Sequence, residues 1–234
     1  MSDLIGLSLM VILAVSLIAV LGWWLFVQTE GVYLGPRVVR FLYDKSARQY
    51  DDIKEFSDDS DDRHLGEPLA ERLAGREDAW VLDVATGTAR LPLTLFRHMN
   101  FKGRVVGLDS SRGMLEAALA KTAFFSESMA LIENEGRILP FADKSCDAVT
   151  CIEALEFLPD PAQSLREMAR VLKPGGILLI TNRCGFDRWT FPGRGYAPSD
   201  FEQLLLSIGM TNIETTRWLT YYDLIWATKG GKPA

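Results

Sequence analysis

Residues 4–27 contain no charged side chain and are dominated by Leu, Ile, Val and Ala. An α-helix needs about 20 predominantly apolar residues to cross roughly 30 Å of hydrocarbon, and this run meets that length. It is expected to form one N-terminal transmembrane helix, with residues 1–30 as an anchor. A secretory signal peptide would show a positive n-region, a shorter apolar core and an A-x-A-like cleavage site; none of these features is present. The tail before the run carries Asp3 and no basic side chain, whereas Arg37, Arg40, Lys45 and Arg48 follow it closely. The positive-inside tendency therefore expects the rest of the chain on the cytoplasmic side. Trp23 and Trp24, near the end of the run, suit a lipid–water boundary, where an indole buries its ring and keeps its N–H wet; simple apolar filler is the alternative.

Gly31, Gly35 and Pro36 break the helix, and residues 38–48 read as a short amphipathic helix. Residues 51–62 hold seven acids and one base, a self-repelling run expected to be solvated. It lacks the glycine and terminal glutamate of a calcium loop, so no metal site is expected. Residues 31–75 are read as linker and N-terminal helices, and residues 76–234 as one catalytic-sized domain. The net charge of −6, with no basic stripe after Arg48, argues against nucleic acid as a partner. Cys146, Cys151 and Cys184 form no CxxC pair and are expected to be reduced structural thiols, Cys184 partly open just past a strand end.

Beyond residue 62, short apolar runs alternate with helical stretches, the pattern of βαβ units in a doubly wound, mostly parallel α/β sheet. The first strand, residues 80–84, runs into Ala85-Thr86-Gly87-Thr88-Ala89 before a helix near Leu91. Small residues there let the backbone turn sharply beside a ligand. A dinucleotide fingerprint would require G-x-G-x-x-G, and Gly87 alone is present, which disfavours a nucleotide-dependent oxidoreductase. The second strand ends at Asp109, where a carboxylate can accept from both ribose hydroxyls. The alternative is Asp109 as cap of the next helix; both hold if Ser110 or Ser111 caps instead.

Val81-Leu82-Asp83-Val84-Ala85-Thr86-Gly87-Thr88-Ala89, Val106-Gly107-Leu108-Asp109-Ser110-Ser111 with Met114-Leu115, Leu139-Pro140-Phe141, Cys146-Asp147-Ala148-Val149 and Val171-Leu172-Lys173-Pro174-Gly175-Gly176 stand in that order. Together they resemble the class I S-adenosylmethionine-dependent methyltransferases, in the branch of the ubiquinone and menaquinone C-methyltransferases. The resemblance covers residues 44–229. It implies a seven-stranded sheet of order 3-2-1-4-5-7-6, its last two strands an antiparallel edge pair at residues 211–219 and 221–228. It also implies S-adenosyl-L-methionine as cofactor, with Asp83 and Gly87 shaping the first loop and Asp109 holding the ribose. Met114 would line the adenine pocket, and Glu135, with its neighbour Gly136, would take the place of the acid that meets the adenine amino group. Tyr50, in a segment that folds over the cofactor in this branch, and Ala85, Ser110 and Ile152 complete the expected binding set. The third glycine expected in the first loop is Ala89 here, which leaves a noncatalytic, cofactor-binding membrane scaffold as the alternative function.

Methyl transfer from a sulfonium is an in-line displacement with a good leaving group, so positioning the acceptor can supply much of the catalysis. Carbon or phenol acceptors also want a base, and Glu153 and Glu156 follow the fourth strand, where one would be needed. His64 and His98 read as structural or exposed. Acceptor selection is assigned to residues 182–198, where Phe186, Trp189, Phe191 and Tyr196 are interleaved with Arg183, Arg188 and Arg194. Such a loop could cover an apolar acceptor while the arginines hold an anionic head group. With an anchor beside it, the expected acceptor is small and lipid-like or membrane-associated; the oligomeric state is left open.

Overall fold

The computed structural model describes residues 2–54 and 56–231. Met1 of the N-terminal tail, Glu55 of the acidic run and residues 232–234 lie outside the described residues. Helix α1 (Ser2–Trp23) continues through a wider turn, Trp24–Gln28, closed by Thr29, whose N–H and hydroxyl both donate to Trp24 O at 2.9 Å. The apolar stretch Ile5–Gln28 is 24 residues long, with none of its most apolar window buried. At 1.5 Å per residue it is about 36 Å long, enough to cross a membrane.

Gly31 and Gly35 follow with φ of +76° and +98°, a reversal that L side chains resist. Pro36 then opens α2 (Pro36–Ser46), two residues before the expected helix, because proline is tolerated in the first turn, where N–H groups have no intrahelical partner. Short helices α3 (Tyr50–Lys54), α4 (Asp58–Asp61) and α5 (Glu67–Arg72) lead to the sheet. The acidic run is solvated only in part, with Asp52, Asp58 and Asp59 exposed. Asp61 is buried and receives two hydrogen bonds from Arg90, at 2.6 and 2.5 Å. Asp62 accepts from Thr94 and pairs with His98, and Asp51 pairs with Thr88 and Lys121. Arg90, 29 residues from Asp61, and Lys121, 70 residues from Asp51, offset part of the repulsion that a linear reading sees.

The sheet elements are β1 (Trp80–Val84), α6 (Arg90–Leu95), β2 (Arg104–Asp109), α7 (Arg112–Lys121), β3 (Met129–Glu133), β4 (Cys146–Cys151), α8 (Pro161–Val171), β5 (Leu172–Arg183), α9 (Pro198–Ser207), β6 (Met210–Leu219) and β7 (Tyr222–Lys229). Their order is 3-2-1-4-5-7-6. β1, β2, β3, β4 and β5 run parallel, with Leu82 opposite Val106 and Val149. β7 is antiparallel to both neighbours, with Ile180 opposite Ile225.

Side chains alternate across a strand, and the two faces separate accordingly. Val81, Val105, Ala148 and Leu179 share a core with Leu69 and Leu73 at α5 and Leu91 and Leu95 of α6. Leu82, Val106, Val149 and Ile180 share the other with Leu165 and Met168 of α8 and Phe201 and Leu205 of α9. Cys184, expected to be partly open, is 4% exposed, because Cys184 N–H bonds to Tyr221 O and draws the strand end inward.

Candidate active site

The sheet order reverses between β1 and β4, and in open α/β sheets the crevice outside the carboxyl ends of such strands is the ligand site. Leaving β1, Asp83 is buried and accepts from Thr86 Oγ1 and Thr150 Oγ1, each at 2.6 Å, which pins the following loop to β1 and β4. Thr86 N–H reaches Leu108 O at 2.8 Å. A Cβ on Gly107 would stand 2.8 Å from Thr86 Cγ2, so only glycine lets the loop cross β2 this closely. The loop takes left-handed conformations at Ala85 (φ +57°), Gly87 (+56°) and Ala89 (+67°). A Cβ built on Gly87 would find no atom within 4 Å, so that side of the loop is open space.

Asp109 stands at the tip of β2, its Oδ2 accepting from Gly87 N–H at 2.9 Å and its Oδ1 from Ser111 N–H at 2.8 Å. The cap of α7 is Ser111, which accepts from Met114 N–H at 3.1 Å, so Asp109 is free of that duty. Burial pushes the Asp109 carboxyl up to about 6, against the pull of the Ser111, Gly87 and Ser110 N–H groups, with Asp44 adding a further push. Asp83 is likewise pushed to about 6 by burial, against the Thr150 and Thr86 hydroxyls.

These groups border one open cleft. Tyr50, Ala85, Gly87, Asp109, Ser110, Glu135, Gly136, Ile152 and Glu153 all line it, nine of the residues singled out from sequence. Asp83 lies in a smaller adjoining pocket behind the loop. Met114 is fully buried and does not line the cleft, because the first turn of α7 directs it inward. Glu156 is also removed from the cleft: it is 2% exposed, paired with Arg183 and accepts from Tyr222 OH at 2.5 Å. The turn Leu155–Phe157 rotates it away from the side on which Glu153 lies. Glu153 has φ +53°, its N–H donates to Thr181 Oγ1 at 2.6 Å, and its Oε1 receives Arg90 Nη1 at 2.6 Å.

Tyr43 and Phe157, together with Val39 and Leu158, which sequence reasoning did not assign, complete an apolar wall. Val39 and Tyr43 stand one turn apart on α2, an i, i+4 pair on one face, and that spacing was the available signal. Arg90, which holds both Glu153 and Asp61, carries no local sequence signal.

Over residues 82–180 the chain matches a methyltransferase domain. The match, to a family model of that description, spans the loop, Asp109 and the cleft edge. A demethylmenaquinone methyltransferase of Staphylococcus epidermidis is 44% identical over 98 residues, 42% of this chain and 40% of that protein. One from Staphylococcus aureus is 39% identical over 104 residues, covering 44% and 43%. The chain thus matches about two-fifths of the length of these relatives. Among solved structures, a SAM-dependent methyltransferase from Aquifex aeolicus has a TM-score of 0.61 at 20% identity, over 80% of this chain and 98% of that one. The cyclase SpnF has a TM-score of 0.69 at 19% identity, over 85% and 98%. The fold is therefore shared with a protein named for different chemistry.

S-adenosyl-L-methionine is the cofactor that goes with a methyltransferase domain, and the residues present fit it. The open side at Gly87, the Asp109 carboxylate and Glu135 border one cleft with apolar Ile152 and Leu158. Ala89 does not line that cleft and is fully buried. A left-handed alanine costs about 1–2 kcal/mol, while glycine there would lose a buried methyl and gain chain entropy to fix, about 0.8 and 0.5–1 kcal/mol. Ala89→Gly is therefore expected to change stability by no more than about 1 kcal/mol and to leave cofactor affinity unchanged, as chemical denaturation and calorimetry would read.

The 182–198 segment does not act as one acceptor cover. Phe191 is fully buried beside Val32 and Val39, and Tyr196 packs on the sheet core, whereas Phe186 and Trp189 are exposed. Arg183 pairs with Glu156 and Asp187, and Arg194 donates to Glu156 O and Leu158 O at 3.0 and 2.7 Å. Neither is the free head-group ligand expected, since each satisfies acceptors within the fold.

Proposed function

We propose that this methyltransferase acts on a small, apolar, quinone-like acceptor held at a membrane, with the domain on the cytoplasmic side. The observation that carries this reading is the composition of the cleft. Asp109, at one end, is suited to ribose hydroxyls, while Val39, Tyr43, Ile152, Phe157 and Leu158 form an apolar wall, partly from the helix that follows the candidate membrane span. Arg37, Lys45 and Arg48, exposed after the span, support the cytoplasmic orientation. The names of the Staphylococcus relatives support a quinone-like ring as the acceptor.

S-adenosyl-L-methionine supplies an electrophilic methyl group for in-line displacement. Asp109 would accept the ribose hydroxyls and Glu135 would stand at the adenine amino group, while the apolar wall excludes water and aligns the acceptor ring. Glu153, oriented by Arg90 through Oε1, takes the proton released when a ring carbon or phenol oxygen is methylated.

The test is the full chain reconstituted in lipid nanodiscs with labelled S-adenosylmethionine and demethylated prenyl-quinone acceptors. Label is expected in the quinone, and Glu153→Gln is expected to lower kcat about 10²–10⁴-fold while cofactor affinity stays within a small factor. No transfer to any such ring by a cofactor-binding protein would contradict the acceptor class, and an unchanged kcat in Glu153→Gln would remove the base.

A further inference from the structure

We infer that the 186–190 turn is a lipid-seating element, in which Phe186 and Trp189 enter the phospholipid interface beside the end of the N-terminal helix and Arg188 meets the phosphates. Phe186 is 84% and Trp189 71% exposed, although each belongs to a residue type that normally loses most of its surface on folding. Single exposed aromatics are ordinary on a protein surface; what sets these two apart is that their turn is bonded to the end of the N-terminal helix.

The occupant follows from what holds the turn. Trp24 Nε1 donates to Thr190 O at 3.0 Å, and Gln28 Nε2 donates to Asp187 Oδ1 at 2.8 Å and to Thr190 Oγ1 at 3.1 Å. Tyr33 stacks on Trp24 with ring centroids 5.0 Å apart and donates from its hydroxyl to Pro192 O at 2.9 Å. Both ends of the exposed turn are thereby fixed to the closing turn of a helix long enough to cross a bilayer. Residues 24–28 of a spanning helix lie at the lipid–water boundary, so Phe186 and Trp189 are held at the same depth. The turn cannot swing away, because Asp187 is also bound by buried Arg183.

The chemistry agrees. Arg188 lies over the Trp189 ring, 4.8 Å from its centroid, and an arginine beside a tryptophan combines a phosphate ligand with an interfacial ring. Arg183 carries the connection inward to Glu156, next to Phe157 of the cleft wall. Seating the turn therefore fixes the cleft relative to the bilayer, so that a lipid-borne acceptor reaches it without crossing water.

This inference rests on the reading of the N-terminal helix as a bilayer span, and the test separates the two. Full-length protein carrying Met10→Cys, Phe186→Cys, Trp189→Cys or Phe124→Cys is labelled with a polarity-sensitive fluorophore in phosphatidylcholine/phosphatidylglycerol nanodiscs, with the parent protein as blank. Phe124 is 92% exposed and serves as the water-facing reference. Retention of the parent melting temperature checks each fold. Lipid-borne quenchers are expected to act several-fold more strongly at 10, 186 and 189 than at 124, with aqueous iodide showing the reverse order. Lipid quenching at 10 with water-like labels at 186 and 189 would overturn the seat and leave the span. Water-like labels at 10 as well would overturn the span and the seat together.

Discussion

Glu156→Gln is expected to destabilise the domain by about 3 kcal/mol, the cost of breaking a buried ion pair and leaving one charge behind. Glu156 and Arg183 are 2% and 9% exposed. Glu156 Oε1 receives both Arg183 Nε and the hydroxyl of buried Tyr222, while the Arg183 guanidinium stands 4.1 Å from the Phe191 ring centroid. A neutral amide keeps the volume and removes the countercharge, so Arg183 is left with Asp187 alone in apolar surroundings. Arg183→Met should cost a similar amount. The double variant Glu156→Leu with Arg183→Met should recover part of it, because two well-packed apolar groups avoid the desolvation of either charge. Denaturant unfolding reads all three. Arg112→Ala is the control, since its pair with Glu116 is largely exposed and should contribute about 0–1 kcal/mol. A loss of less than about 1 kcal/mol in Glu156→Gln would mean that the pair is not a structural element and would return Glu156 to the list of groups available for chemistry.

Asp109→Asn is expected to weaken S-adenosylmethionine binding about 100-fold, since two charge-assisted hydrogen bonds to a ribose each contribute about 1.5–3 kcal/mol and the amide offers only one acceptor oxygen. The pH dependence follows from the same carboxyl, raised by burial to about 6. Its ionised form is the one that accepts hydroxyls, so wild-type affinity should fall as pH is lowered through about 6. Stability moves the other way. With the folded value above the unfolded one, the native state holds the proton more tightly, and this contribution is fully present below about pH 4 and lost as pH rises through about 6. Asp83, also raised to about 6, adds to it. Stability of Asp109→Asn minus that of wild type, followed from pH 4 to 7, should rise with pH. A flat difference together with pH-independent binding would show Asp109 to be an ordinary exposed acid.

Legibility in the sequence tracked the range of the interactions involved. Short apolar runs at strand spacing located β1 and β2, and the acid closing β2 pointed to the cleft because it lies within the local unit that builds the site. Ser111 as cap was readable for the same reason. Glu153 and Glu156 show the limit: three residues apart after one strand, they are equivalent until the turn at Leu155–Phe157 puts one at the cleft and the other against Arg183. Arg183 lies 27 residues further on, beyond the reach of any periodicity. The acidic run misled in the same way, because Asp61 is explained by Arg90 and not by its acidic neighbours. Met114 carried a position in a motif, but its burial is set by the packing of α7.

The most direct measurement is calorimetric titration of S-adenosylmethionine and S-adenosylhomocysteine into the full chain in nanodiscs at neutral pH. Saturable binding of both, lost in Asp109→Asn and retained in Ala89→Gly, is the expected result. No binding to the folded wild-type protein would contradict the assignment of the cleft at the ends of β1 and β4 as a cofactor site, and with it the methyl transfer proposed for this chain.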